Sequence, residues 1–510
     1  MKRFLSMTLC FLMVASLFVG CGSSEPEKST AFSVGYGVGN ISPSEKMMLS
    51  GFGDQKERIF TAVSEQLLTT CIAITDEEGE TVLILANDLL KSGDTWSDPI
   101  RKNIAQETGV PFDHIMFHTS HTHSAPHVDA YPLYQNQIGE QALLACKQAL
   151  EDRAPATMDG TYTRIEEKVN CNRHYLLADG TYMGESVGSV PKDQLIGHYD
   201  LPDNLLQVVR FQREGKKDIV LMNWQAHYLG SKLDYYAATS DYPGVMRATV
   251  EAALDCYSLF FLSGSGNLNS WSQFTDEMEF EYHTDLGKFL GNKVIDLMDS
   301  MKPMNTGDVQ MTEVMQPCRS LASKNDLIEI PIYALSFGDM GMVFAPYEMF
   351  DTTAMAIRDQ SPLTMTFVAS CSNGSYSYIP TPDSWDWEHH YEVRVTKFEK
   401  GTAEELQQKF VEMLDTQVTA SGYTPAEKGE GYITPEFVPF TDDITYINPD
   451  EGNLSACEEV ANGFYRIRLL KNNKPKAMLC IDKATAEKVL AGGSMKLLFN
   501  QSNVIVDIAS

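Results

Sequence analysis

Between about residue 31 and residue 420 the chain alternates short apolar runs with longer amphipathic ones, and this limits the fold more than any single residue does. The short runs at 81–86, 114–117, 218–223, 258–262, 340–344 and 364–369 are β-branched or aromatic and bounded by polar or turn residues, which predicts strands. The longer ones at 99–107, 139–151, 242–254, 281–300, 350–358 and 403–416 carry helical periodicity. Asp98 before Pro99, and Asp241 two residues before Pro243, are helix-start signals. Strands interleaved with helices predict a layered α/β domain, with mixed β-sheets flanked by helices. No internal repeat is visible in the residues. From about 422 the pattern changes. Thr424-Pro425, Gly429-Glu430-Gly431 and Pro439-Phe440 read as a linker or irregular wrap, and strand-like runs at 464–470, 477–481 and 495–507 predict a small β-rich C-terminal module.

The first residues predict a destination. Lys2 and Arg3 precede an apolar run from Phe4 to Val19, and Phe18-Val19-Gly20-Cys21 places a small residue immediately before a cysteine. That order reads as a secretory signal over 1–20 that ends in a lipobox, with Cys21 as the lipidated N-terminus of an exported protein anchored to a bacterial membrane. An uncleaved span needs about 20 apolar residues, and this run ends sooner, in Gly-Cys-Gly-Ser-Ser. Residues 21–30, rich in Ser, Glu and Lys, then form a tether. The expected organisation is signal peptide 1–20, tether 21–30, main domain 31–421, and linker plus C-terminal module 422–510.

The formal charge is −29, or −31 once Lys2 and Arg3 leave with the signal. So acidic a chain is unsuited to nucleic acid or to electrostatic docking on anionic lipid, which leaves the N-terminal lipid as its membrane contact. A hydrophobic fraction of 43% builds a sizeable core. Eight cysteines remain beyond Cys21, scattered and without a C-x-x-C pair, so thiolates are not expected to form a zinc site.

Five of the eleven histidines fall in 14 residues: His114, His118, His121, His123 and His127. If the strand there stays extended, His121 and His123 project to one face, an arrangement that suits a zinc ion. Solvated histidines at a polar strand end are the alternative. His227, just past the run 218–223, lies where open α/β sheets place their ligand crevices, or is a hydrogen-bonded structural histidine. Glu348 falls between a predicted strand and helix, as a ligand or as a carboxylate favouring the helix dipole. Tyr378 and Tyr391 flank an aromatic segment containing Trp385, Trp387, Glu388, His389 and His390, of a kind that lines pockets and ordinary loops alike. Arg173 either holds a substrate oxygen or pairs with a carboxylate.

The order Gly37-Val38-Gly39-Asn40-Ile41-Ser42-Pro43, Asn87-Asp88, His121-Thr122-His123-Ser124-Ala125-Pro126, Asn172-Arg173, Asn223-Trp224-Gln225-Ala226-His227, Ser240-Asp241 and Pro346-Tyr347-Glu348 resembles the neutral/alkaline non-lysosomal ceramidase family over residues 33–420. The resemblance implies one Zn²⁺ held by His121, His227, Glu348 and Tyr378, with His123, Arg173 and Tyr391 near it positioning substrate. It also shows a departure. Where that family carries its serine nucleophile, this chain reads Ser263-Gly264-Ser265-Gly266-Asn267-Leu268-Asn269-Ser270, with Asn269 at the serine position. Asparagine cannot serve as a hydroxyl nucleophile, but it can orient a carbonyl or a water.

Three functions follow as expectations. One is a zinc-dependent hydrolase of an amide or ester bond in a small-molecule or lipid-like substrate, working through water. Another is a non-catalytic binding lipoprotein that keeps the metal pocket. The last is a true ceramidase in which Ser265 or Ser270 stands in for the missing serine.

Overall fold

The computed structural model describes residues 31–433 except 52–57, 178–181, 185–194, 199–201, 228–235, 271–278, 281, 324 and 387–389, together with five strands of the C-terminal segment. Cys21 and the aromatic run 387–389 lie outside the described residues.

Twelve strands and six helices fall into three successive groups with the same order of elements. The first comprises β1 (Ser33–Asn40), β2 (Leu68–Thr75), β3 (Thr81–Asn87), α1 (Ser97–Thr108), β4 (Ile115–Thr119) and α2 (Pro132–Glu151). The second is β5 (Ala154–Arg164), β6 (Leu205–Arg213), β7 (Ile219–Trp224), α3 (Asp241–Leu254), β8 (Tyr257–Leu262) and α4 (His283–Leu297). The third is β9 (Gln310–Arg319), β10 (Leu327–Phe337), β11 (Met340–Phe344), α5 (Asp351–Gln360), β12 (Met365–Ala369) and, after the short α6 (Tyr391–Val395), α7 (Thr402–Ser421). In each group three strands run antiparallel, and a helical crossover brings the fourth in parallel to the third. The repeat absent from the residues is therefore present in the topology, because pleat and helix periodicity can be met by many different side chains.

The first two groups share one sheet in the order β8-β7-β6-β5-β1-β2-β3-β4, and β9-β10-β11-β12 form another. The predicted mixed α/β architecture holds. The two sheets face each other, and alternation along each strand divides its side chains between inside and outside. Val82, Ile84 and Ala86 of β3, Leu259 and Phe261 of β8, and Met340, Met342 and Phe344 of β11 meet in one central core. Their neighbours face outward: Leu83 and Leu85 toward α1 and α2, Phe260 and Leu262 toward α3 and α4, Val343 toward α5 and α7. Buried on both faces, these strands read in sequence as continuous apolar runs.

Local chemistry explains several of the motifs. Gly35, Gly37 and Gly39 alternate along β1 on the face covered by α2, and a Cβ at Gly37 would lie 1.9 Å from the Ala145 carbonyl oxygen. Buried ion pairs tie the groups together, Arg247 of α3 with Asp88 after β3, and Arg358 of α5 with Asp203 before β6. Residues 423–432, expected as linker or wrap, run along the sheets, and the buried Tyr432 hydroxyl donates to Gln207 Oε1 and accepts the Thr366 N–H, each at 2.7 Å. Helix α2 begins seven residues earlier than the apolar pattern predicts, at Pro132, whose fixed φ suits a first helical turn. In the C-terminal segment the strands are Glu458–Ala461, Phe464–Lys471, Lys474–Ile481, Ser494–Phe499 and Val504–Ala509, so the run 495–507 is a hairpin rather than one strand. No helix among the described residues is long and apolar enough to cross a membrane.

The carboxyl ends of β4, β8 and β12 meet at His118. Its Nδ1 lies 3.0 Å from Ser372 Oγ, and its Nε2 accepts the Leu262 N–H at 3.0 Å. Burial, then the neighbouring His121, pushes its pKa down to about 3. An unfolded histidine takes up its proton near pH 6.5, so the unfolded state binds more protons between pH 6.5 and 3. The stability contributed is complete above pH 6.5 and is lost as pH falls toward 3, by up to about 5 kcal/mol for this group and about 3 kcal/mol by pH 4.5. Urea denaturation at pH 7 and pH 4.5 should show that loss. His118→Leu should cost about 2 kcal/mol at pH 7, by leaving the Leu262 N–H buried without an acceptor, and should flatten the acid dependence.

Candidate metal centre

The loops that follow the parallel strand pairs carry the chemistry. His121 and His123 follow β4, His227 follows β7, Glu348 follows β11, and Tyr378 follows β12. Each therefore lies at a strand's carboxyl end, where open α/β sheets form their crevices. The sequence expectation that His121 and His123 share a face of an extended strand is corrected. The strand stops at Thr119, and His121 has φ 63°, a left-handed turn that swings the two imidazoles together. Cys371 and Ser377, which also line the cavity, have φ of 55° and 66°. Non-glycine residues in this region cost about 1 kcal/mol or more each and persist where the surroundings hold them, typically around functional sites.

The side chains converge on one point. His121 Nε2 lies 3.2 Å from His227 Nε2, 3.3 Å from His123 Nε2 and 3.3 Å from Glu348 Oε2, and His227 Nε2 lies 3.1 Å from the same carboxylate oxygen. The Tyr378 hydroxyl stands 3.4 Å from His227 Nε2. A tetrahedral zinc with ligands at about 2.05 Å spaces their atoms about 3.3 Å apart, so these separations are edges of the polyhedron such an ion requires. The far sides of the rings agree. His121 Nδ1 donates to the Leu90 carbonyl at 2.7 Å, and His227 Nδ1 donates to Ser265 O at 2.6 Å. With the proton on Nδ1, each Nε2 keeps its lone pair for a metal. His123, expected beside the ion, has its Nε2 inside the cluster. Gly51, at φ 92°, makes room for it, since a Cβ there would meet the His123 Cβ at 2.5 Å and its ring at 2.6 Å.

The electrostatics are those of one carboxylate among imidazoles. Burial opposes ionisation of Glu348, but His121 and His227 hold its pKa well below the usual range. Burial likewise opposes a charge on His121, and Cys371 and Glu348 outweigh it and raise that pKa. His123 is pushed down by burial and by the two other histidines, and His227 by burial and Arg173. Tyr378 and Tyr391 are pushed up, by burial and then Glu348, so both remain O–H donors at neutral pH.

The cluster sits in the wall of a cavity of about 540 Å³ whose lining includes Met48, Leu49, Leu90, Pro346, Tyr347 and Tyr391. Tyr391 heads α6, with its ring 5.6 Å from that of Tyr378. Arg173 and Asn269 do not reach the cavity lining among the described residues. The Arg173 guanidinium is taken by Glu392, with Nε 2.6 Å from Oε1, and it stands 5.3 Å from the centre of the Tyr378 ring. It therefore packs against the tyrosine from the side held by Glu392. Asn269 lies in the short pairing of Leu268–Asn269 with Cys171–Asn172 and bridges His227 through the backbone. Both candidate serines also serve His227: Ser265 through its carbonyl, and Ser270 by donating from its hydroxyl to the His227 carbonyl at 2.9 Å. Neither lines the cavity.

Sequence reasoning missed Glu392, Cys371 and Arg58. Glu392 is fully buried directly after Tyr391, and nothing in its local pattern separates it from the many surface acids. Arg58 is also buried and holds the histidine loop by donating to Ser50 O at 2.9 Å, Ser124 Oγ at 2.7 Å and the His123 carbonyl. A second group, His174, His390 and Glu392, also gathers possible ligand atoms. There, however, His390 Nδ1, the nitrogen facing the carboxylate, accepts the Val393 N–H at 3.0 Å, so its lone pair caps a helix.

An α/β fold with an imidazole–carboxylate centre at the carboxyl ends of parallel strand pairs defines a hydrolase-like fold with a buried group of residues able to bind a metal. No family model matches the sequence and no curated protein matches it. Among solved structures, the neutral ceramidase from Pseudomonas aeruginosa matches with a TM-score of 0.61 at 12% identity, over 92% of this chain and 91% of that one. A ceramidase complexed with C2 matches with the same values. The chain has the fold of the bacterial neutral ceramidases, in accord with the resemblance carried by its motifs.

Zinc analysis tests the centre directly. Protein purified with zinc should hold about one ion per chain, and His121→Ala and His227→Ala should each lower its affinity by about 10²-fold or more. His123→Ala separates two roles: loss of the ion makes His123 a ligand, and retention makes it a neighbour. Because imidazoles bind metal only when neutral and His121 is held above its ordinary pKa, protons should compete with the ion and affinity should fall as pH drops.

Proposed function

We propose that this protein is a zinc-dependent amide hydrolase, exported and held at a bacterial membrane by a lipid on Cys21. The observation that supports it most is the convergence of His121, His227 and Glu348, at the mutual spacing of tetrahedral ligands and with His123 beside them, in the wall of an apolar cavity. When bound, a zinc ion supplies Lewis acidity to a carbonyl and brings the pKa of water from about 15.7 toward 7. The chain's own residues do the rest. Leu90 and Ser265 hold the imidazoles of His121 and His227 in the ligating tautomer through their carbonyls. Tyr378 and Tyr391 present O–H donors where negative charge develops on an attacked carbonyl, and a donor aimed there in a water-poor site is worth several kcal/mol, on the order of 3. Arg173, clamped by Glu392, keeps Tyr378 in place. Met48, Leu49 and Leu90 exclude water and give an acyl chain an apolar wall, and the ceramidase neighbours favour a lipid-like amide.

This scheme uses water as nucleophile and needs no serine. It accommodates Asn269 at the family's serine position, and it leaves Ser265 and Ser270 to hold His227. Turnover of N-acyl amide substrates should be abolished by chelation, restored by zinc, and reduced by about 10²-fold or more in Glu348→Gln. Ser270→Ala should stay within about tenfold of the parent, since it loses one hydrogen bond of about 1 kcal/mol. A Ser270→Ala enzyme as inactive as Glu348→Gln would restore the serine mechanism. Stoichiometric zinc without turnover of any amide or ester would favour the binding lipoprotein.

A further inference from the structure

Strand direction relates the two ends of the molecule. Strand β1 begins at Ser33, paired with Thr75 at the turn end of the β2–β3 hairpin, and finishes at Asn40, paired with Leu68. The Asn40 end is the cavity end. Leu68 accompanies Asp88, whose carboxylate accepts its N–H, and Leu90, two residues on, lines the cavity and holds His121. Helix α2 gives the same polarity. It starts beside the cavity, where Tyr134 donates to the Ile41 carbonyl, and finishes beside the start of β1, where Asp152 accepts the Tyr36 N–H. Twenty helical residues span about 30 Å. The chain therefore enters the domain at the end farthest from the cavity, after a tether of ten residues (21–30) whose greatest extension is about 35 Å. Laying the cavity against the bilayer would require that tether to run almost fully extended along the whole molecule.

We infer that the lipid anchor and the cavity lie at opposite ends of the molecule, so that the anchored protein takes its acyl-amide substrate from the side facing away from its own membrane. This rests on the lipid at Cys21 proposed above. The substrate class is an amphiphilic N-acyl amide delivered in solution, in micelles or on another surface, rather than one extracted from the bilayer that carries the protein.

Position can be measured independently of catalysis. Full-length lipidated protein is reconstituted in phosphatidylcholine vesicles bearing an energy-acceptor phospholipid, with a donor dye on a cysteine introduced at Glu78 or at Leu133. Glu78 is exposed in the β2–β3 turn, and Leu133 is 79% exposed in the first turn of α2. Transfer from position 78 should exceed that from 133 by at least about twofold, given some 30 Å between them along α2. Equal transfer, or the reverse order, would overturn the inference. Flotation with vesicles should be lost in Cys21→Ser, and a parent that does not float would overturn it as well. A second arm offers a fluorescent N-acyl amide lipid in protein-free vesicles or in the carrier vesicles. Faster release from the protein-free vesicles supports the inference, and faster release from the carrier vesicles sinks it. No zinc-dependent turnover in either arm, with the transfer order intact, would instead dispose of the hydrolase reading.

Discussion

The fold depends on how four residues after β12 close the edges of the two facing sheets. Strands β4 and β8 are the outer strands of the long sheet, and each would otherwise bury unpaired backbone groups where the sheets meet. Segment 370–373 satisfies both. Ser370 donates its N–H to Leu262 O, Asn373 donates to Phe117 O and accepts the Phe117 N–H on its side chain, and Thr119 Oγ1 donates to Cys371 O. His118 completes the closure by accepting the Leu262 N–H. The neutral imidazole is what this position needs, since it offers one donor and one acceptor to two different strands without burying a charge.

The metal centre is a consequence of that closure. Three parallel strand pairs, each with a helical crossover, end at one level, and the loops leaving them converge over the join. The residues that could hold a metal are drawn from all three repeats of the topology: His121 and His123 from the first, His227 from the second, Glu348 and Tyr378 from the third. No repeat could form the centre alone. The supporting shell is equally distributed: Leu90 and Ser265 fix ring tautomers, Arg58 holds the histidine loop, and Glu392 of α6 anchors Arg173 beside Tyr378. Such outer partners tune a site nearly as strongly as the ligands do, and they explain why so much buried polarity collects here.

The change at Asn269 is understood in the same terms. The segment 265–270 sits behind His227, where its carbonyls and the Ser270 hydroxyl hold that ring. What the segment supplies to His227 comes largely from its backbone, so the identity of the side chain at 269 bears little on how that ring is held.

Sequence alone determined the fold class, since strands buried on both faces and amphipathic helices differ in period, and each signal is local. It also marked His121, His227 and Glu348, which fall just past strand-like runs, and, through the family resemblance alone, Tyr378. It could not show that the β4 strand stops at Thr119, because the left-handed turn at His121 is enforced by packing and not by a residue preference. Nor could it show which carboxylate Arg173 meets, since its partner Glu392 lies 219 residues away among many other acids. The threefold repeat, the closure by 370–373 and the opposition of N-terminus and cavity were decided only by the tertiary structure. Each depends on which strands become neighbours, and that is settled by contacts between distant parts of the chain, which leave no local trace.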